Sequence, residues 1–129
     1  MSSLVCVIDD DADIRDILSD VLTFEGYRVL AASDGLEALE LLHDQGQSCC
    51  LILLDLMMPR MNGWEFRRRQ EEDPALSRIP VLLLTGAGGA ARAAAELNVT
   101  GAIEKPVELD TLLEAIARFC PPPAQAHGG

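Results

Sequence analysis

The sequence predicts an α/β domain, a (βα)5 doubly wound parallel sheet of the flavodoxin-like kind with helices on both faces. Three observations lead there. Short apolar runs and stretches of helical periodicity alternate five times along the chain. The runs are continuous rather than alternating, as strands buried on both faces are. The length of 129 residues, 49% of them hydrophobic, suits one domain with its own core.

The elements follow in order. Leu4 to Ile8 reads as the first strand. Asp10 or Asp11 can cap the helix after it, whose apolar positions Ile14, Ile17, Leu18, Val21 and Leu22 keep the spacing of one buried face, and Gly26 ends it. Tyr27 to Ala31 reads as a second strand. Asp34 and Glu37 have the spacing of a capping box at the head of the next helix, which Leu39 and Leu42 line and Gly46 closes. Leu51 to Leu54 is a third buried strand leading into Asp55. A loop, Met57 to Gly63, precedes a charged helix from about Trp64 to Asp73, expected to be anchored by Trp64 and Phe66 with Arg67, Arg68 and Arg69 on a solvated face. Pro80 to Leu84 is a fourth strand ending at Thr85. A helix lies in the Gly- and Ala-rich stretch up to Leu97, its start weakened by Gly88 and Gly89. Ala102 to Glu104 is a short fifth strand before Lys105-Pro106. Asp110 to Phe119 is the last helix, stopped by Pro121-Pro122-Pro123. The expected organisation is one domain over residues 1–120 and a disordered tail over 121–129.

Composition excludes several classes. No apolar run approaches the roughly 20 residues that a membrane span needs, and the start lacks the basic and apolar regions of a signal peptide, so a cytoplasmic protein without membrane contact is expected. A net charge of −11 argues against direct nucleic-acid binding by this domain. Cys6, Cys49, Cys50 and Cys120 show neither C-x-x-C nor metal-ligand spacing, and a reduced chain without structural disulfides is expected. His43 and His127 have no neighbour in sequence that would make either a ligand or a catalytic base.

The chemistry is concentrated at strand ends. The first strand ends in Asp9-Asp10, the third in Asp55 and the fourth in Thr85, and Lys105 follows the fifth. In a doubly wound sheet these ends converge on one edge. Three carboxylates gathered there repel one another and need cations. Lys105 supplies one, and a hard divalent ion with oxygen ligands, Mg²⁺, would supply the rest. Phosphoryl transfer requires those parts: an in-line nucleophilic oxygen, here Asp55, and groups that neutralise the equatorial oxygens, here the metal, Lys105 and the Thr85 hydroxyl.

Asp9-Asp10, Asp55 followed by Pro59 and Asn62-Gly63, Thr85-Gly86 and Lys105-Pro106, taken together and in this order, resemble the CheY-like receiver domains of two-component response regulators. The resemblance runs from about Leu4 to Cys120. It implies that Asp55 accepts a phosphoryl group from a histidine kinase or histidine phosphotransfer domain and passes the signal to a downstream protein target that the sequence does not name. It implies Mg²⁺ bound by Asp10, Asp55 and the Met57 backbone carbonyl, with Asp9 binding directly or through water. Thr85 would move to bond the phosphoryl group, Lys105 would pair with Asp55 or a phosphoryl oxygen, and Lys105–Pro106 would be cis. Such a protein is a phosphoacceptor that assists its own phosphorylation and dephosphorylation rather than an enzyme. The alternative is a degenerate receiver acting as a phosphorylation-independent binding module, although such modules usually lack the acceptor or the acidic pair.

Two departures stand out. The family usually has an aromatic residue three positions before the lysine, where this chain has Ala102, so phosphorylation without the usual aromatic signal is implied. Arg67 and Gln70 stand where the family often has leucine, which leaves the charged helix a narrower buried face. Two enzyme or cofactor readings fit less well. A haloacid-dehalogenase-type phosphohydrolase needs a second aspartate where Met57 stands. A flavodoxin needs a hydroxyl- and Gly-rich phosphate loop where Asp9, Asp10 and Asp11 stand. No output domain follows Cys120, which fits either a stand-alone receiver or a piece of something larger.

Overall fold

The structure, a computed structural model, describes residues 3–45, 48–56, 61–86 and 90–121. Five strands and five helices alternate: β1 (Leu4–Ile8), α1 (Ala12–Phe24), β2 (Arg28–Ala32), α2 (Gly35–Gln45), β3 (Cys49–Asp55), α3 (Gly63–Glu72), β4 (Val81–Thr85), α4 (Ala90–Leu97), β5 (Gly101–Glu104) and α5 (Leu109–Phe119). The strands form one parallel sheet in the order β2-β1-β3-β4-β5. The order reverses between β1 and β3, and the crevice beyond the carboxyl ends of those strands is where such sheets bind ligands.

Alternate side chains of each strand serve opposite faces. Leu4, Cys6, Ile8, Ile52, Leu54, Val81 and Leu83 pack with Ala38 and Leu42 of α2, Phe66 of α3, and Ala93 and Leu97 of α4. Val5, Val7, Leu51, Leu53, Leu82 and Leu84 pack with Leu18 and Leu22 of α1 and with Leu112, Ala115 and Ile116 of α5. The fold is therefore the expected three-layer one, with α1 and α5 on one side and α2, α3 and α4 on the other.

Capping explains where the helices begin. Asp11 accepts hydrogen bonds from the backbone N–H groups of Asp13 and Ile14 and so caps α1. Asp34 accepts from Glu37 N. Glu37 reaches one residue further back than a simple capping box requires, accepting from both the N–H and the hydroxyl of Ser33. Asn62 caps α3 by accepting from Glu65 N, so this helix starts at Gly63.

Four expectations need correction. In α1, Leu18 and Leu22 are buried but Ile17 is 54% exposed, because the groove beside α5 stays open there. In α3, Phe66 is fully buried while Trp64 is 41% exposed, so Trp64 is no anchor. Arg67 and Gln70 are buried instead, and α3 buries a wider face than its composition suggests. That becomes affordable because every buried polar group on them is bonded: Arg67 Nη1 donates to Gln70 Oε1 at 2.8 Å, and Gln70 Nε2 donates to the carbonyls of Leu76 and Ile79 at 2.9 and 3.0 Å. Finally, the chain is not free of disulfides: Cys50 at the start of β3 is paired with Cys120 just past α5, their Cα atoms 5.5 Å apart. The two positions are 70 residues apart, a proximity that spacing motifs do not report.

The ends of the domain meet at this same edge of the sheet. Ser3 Oγ donates to Pro121 O at 3.1 Å, and Tyr27 Oη donates to Cys120 O at 2.5 Å. Of the tail expected over residues 121–129, all but Pro121 lies outside the described residues. No described helix is long and apolar enough to cross a membrane.

Candidate functional site

The sheet delivers three carboxylates to one point. Asp9 follows β1 and is fully buried, Asp10 beside it is exposed, and Asp55 ends β3 with 6% of its surface exposed. One ligand oxygen from each lies within 4.8 Å of the others. The parallel register accounts for this, since Ile8 pairs with Leu54 and the residues one step on in β1 and β3 emerge side by side.

Asp9 is held by the local backbone. Its N–H donates to Ala32 O, its Oδ1 accepts from Asp11 N at 2.9 Å, and its carbonyl accepts from Arg15 Nη1 at 2.8 Å. Lys105 Nζ lies 3.3 Å from Asp9 Oδ2 and 3.6 Å from Asp55 Oδ2. The lysine thus bridges both buried carboxylates and stands slightly nearer Asp9 than the Asp55 it was expected to pair with. The Lys105–Pro106 peptide is cis, as expected. Lys105 N donates to Thr85 O at 2.7 Å, which ties the β5 end to the β4 end. Thr85 is half-buried and lies one strand over from Asp55, whose partner in the ladder is Leu84.

Two glycines let the chain leave Asp55 as it does. A Cβ on Gly63 would come within 2.7 Å of Leu56 Cα and 3.1 Å of Asp55 O. A Cβ on Gly35 would come within 2.9 Å of Met61 O, the acceptor of the Gly35 N–H. Only a residue without a side chain permits either approach.

The donor set suits a hard divalent cation. It is all oxygen, and one lysine against three carboxylates leaves negative charge for a metal to balance. The Met57 carbonyl, expected as a further ligand, lies outside the described residues, as do residues 87–89 after Thr85-Gly86. Sequence reasoning missed the Arg15 side chain as a support of Asp9. The signal available was a long donor one turn into the helix that follows the acidic pair. Beside Lys105 a groove of about 310 Å³ runs between α1 and α5, lined by Ile14, Ile17, Leu84, Pro106, Val107 and Leu109 among others.

A sequence profile for the response regulator receiver domain matches residues 5–117. The chain belongs to that family. This receiver superposes on the chemotaxis protein CheY4 of Vibrio cholerae with a TM-score of 0.83 and 30% identity, covering 92% of this chain and 99% of that one. It superposes on a response regulator receiver protein from Pseudomonas putida with a TM-score of 0.83 and 28% identity, covering 92% and 98%. In sequence it is 27% identical to the sporulation initiation phosphotransferase F of Bacillus subtilis over 121 residues, 94% of this chain and 96% of that protein. It is 35% identical to the probable transcriptional regulator ycf27 of Guillardia theta over 119 residues, 88% of this chain but 45% of that protein. The receiver spans between about a third and a half of the length of that relative and of two other transcriptional regulators it matches.

Proposed function

We propose that Asp55 is the phosphoacceptor of this receiver, in a Mg²⁺-dependent reaction with the phosphohistidine of a histidine kinase or phosphotransfer protein, and that the aspartyl phosphate switches the receiver's binding to a downstream protein. The observation that carries this is the setting of Asp55: buried at the end of β3, with Asp9 and Asp10 within 4.8 Å and Lys105 at 3.6 Å.

Asp55 would attack phosphorus through one carboxylate oxygen while the N–P bond to the donor imidazole breaks and the imidazole retains a proton. Mg²⁺, held by Asp10 and Asp55 with Asp9 and the Met57 carbonyl, would neutralise developing charge on the phosphoryl oxygens. Lys105 would turn from Asp55 to a phosphoryl oxygen at little cost, because Asp9 keeps it in place from the other side. The Thr85 hydroxyl would donate to a second oxygen and draw the head of the loop toward the site. The donor helix would lie in the groove between α1 and α5, whose apolar wall of Ile14, Ile17, Pro106 and Val107 begins beside Lys105. Nucleic-acid binding by these residues is not part of this reading, because the net charge of −11 opposes it. The boundaries that go with it are a receiver over residues 1–120 and a separate tail, in a cytoplasmic protein.

Incubation with Mg²⁺ and acetyl phosphate should add one phosphoryl mass, and Asp55→Asn should add none. Equal labelling of the variant would show that another residue is the acceptor.

A further inference from the structure

The buried guanidinium of Arg67 belongs to α3, yet two of its hydrogen bonds go to the end of α4. Nε donates to Leu97 O at 3.0 Å and Nη2 donates to Asn98 O at 2.6 Å. Leu97 is the last residue of α4, and Asn98, at φ 55°, ends it. Val99 N bonds Ala94 O and Asn98 N bonds Ala95 O, the paired closure that satisfies two of the orphan carbonyls at a helix end. Arg67 takes two further carbonyls at this end, those of Leu97 and Asn98. It also places a positive charge at the negative pole of the helix.

The rest of the hold on α4 is apolar. The helix is eight residues long. Of its described side chains, Ala93 and Leu97 are buried, while Arg92, Ala95 and Glu96 are exposed. Charge-assisted bonds to carbonyls are stronger than neutral ones, so the fork of Arg67 adds a directional hold to the burial of Ala93 and Leu97. The fork is itself fixed from behind by Gln70, which is bonded in turn to the carbonyls of Leu76 and Ile79. The other end of α4 has no such clamp among the described residues and follows the Thr85-Gly86 segment.

We infer that Arg67 is a positioning residue that pins the carboxyl end of α4, so that a pull on Thr85 swings the helix about that end instead of sliding or fraying it. This rests on the proposed role of Thr85 and deepens it: the response of α4 is graded along the helix, largest near Ala90 and smallest at Asn98. The device suits a chain with Ala102 in β5, where no ring is available to carry the signal.

Amide hydrogen exchange, with and without Mg²⁺ and beryllofluoride, tests this in two parts. Without the mimic, Arg67→Met should speed exchange at Asn98 and Val99 by at least tenfold while β1 and β3 keep their protection. Arg67→Lys, which retains charge and one donor, should recover part of the loss, and Glu71→Gln, which removes only the outer ion pair at 3.5 Å, should behave as the parent. With the mimic, the parent should change near the start of α4 and stay quiet at Asn98 and Val99, whereas Arg67→Met should respond at both ends. Unaltered exchange at Asn98 and Val99 in Arg67→Met would overturn the clamp whatever happens at Asp55. A uniform response along α4 in the parent would overturn the pivot. If fluorine NMR shows that beryllofluoride does not bind, the phosphoacceptor reading fails and the pivot with it, while the exchange without the mimic still decides the clamp.

Discussion

On one side of β3 the sheet is built from β1, whose five residues are all buried and whose every residue is matched by a partner in β2. On the other side it ends in β5, four residues long with none fully buried, covered in part by a helix of eight residues rich in alanine. The acidic cluster sits on the first flank and Thr85 on the second, with Lys105 N bonded to Thr85 O and Lys105 Nζ reaching back to Asp9 and Asp55. A carboxylate cage must be rigid, because it holds like charges together. A responding surface must have somewhere to go. On the proposed reading, the difference in packing between the flanks would divide those two tasks.

The same deletion made in the central strand and on the β5 flank should expose that division. Ile52→Ala in β3 should cost about 2–5 kcal/mol, and Ile103→Ala in β5, which is only partly buried, roughly half as much, read from urea midpoints at constant slope. Equal costs would mean that the β5 flank is as tightly built as the centre. Next in size is the metal. Asp10→Asn should weaken Mg²⁺ binding by at least about tenfold, or about 1.4 kcal/mol, with Asp9 and Asp55 left to hold the ion. Titration of each protein with Mg²⁺ measures this, and an unchanged affinity would remove Asp10 from the ligand set.

A smaller and more selective effect is expected in the groove between α1 and α5. Ile14→Arg should slow transfer from a kinase while sparing phosphorylation by acetyl phosphate, since Ile14 lines the groove and touches no carboxylate of the cluster. Parallel loss with both donors would mean that the substitution disturbs the fold. The smallest effect is at the far edge. Burial, with a lesser contribution from Glu25, raises the Tyr27 pKa above its ordinary value of 10.0. The folded state therefore holds the phenolic proton more tightly than the unfolded chain, and stability falls as pH rises above the unfolded value. Tyr27→Phe should flatten the decline in thermal midpoint above about pH 10, and an unchanged slope would assign the decline to other groups.

Much of this was legible in the sequence because strand-end residues report their own position. Asp9, Asp10, Asp55, Thr85 and Lys105 each follow an apolar run, and a parallel sheet brings such ends together whatever the details of packing. Arg67 and Gln70 were misread because periodicity treats a polar side chain as solvated. Their burial depends on carbonyls at Leu76, Ile79, Leu97 and Asn98, which come from other segments. The exposure of Ile17 and Trp64 and the pairing of Cys50 with Cys120 escaped for the same reason, since each is set by what lies across a gap rather than along the chain.

The joining of Ser3 to Pro121, with Cys50 and Tyr27 both bound to Cys120, has a consequence for anything attached to this domain. The backbone is nearly a closed ring, and both ways out of it open at the amino ends of the strands. From Cys50 to Asp55 along β3 is roughly 17 Å at about 3.3 Å per residue. A module joined directly at Ser3 or Pro121 would start from the side opposite the acidic cluster. On the proposed reading, a signal from Asp55 would reach such a junction through the body of the sheet or over the outer helices, and the junction itself would leave the approach to Asp55 open.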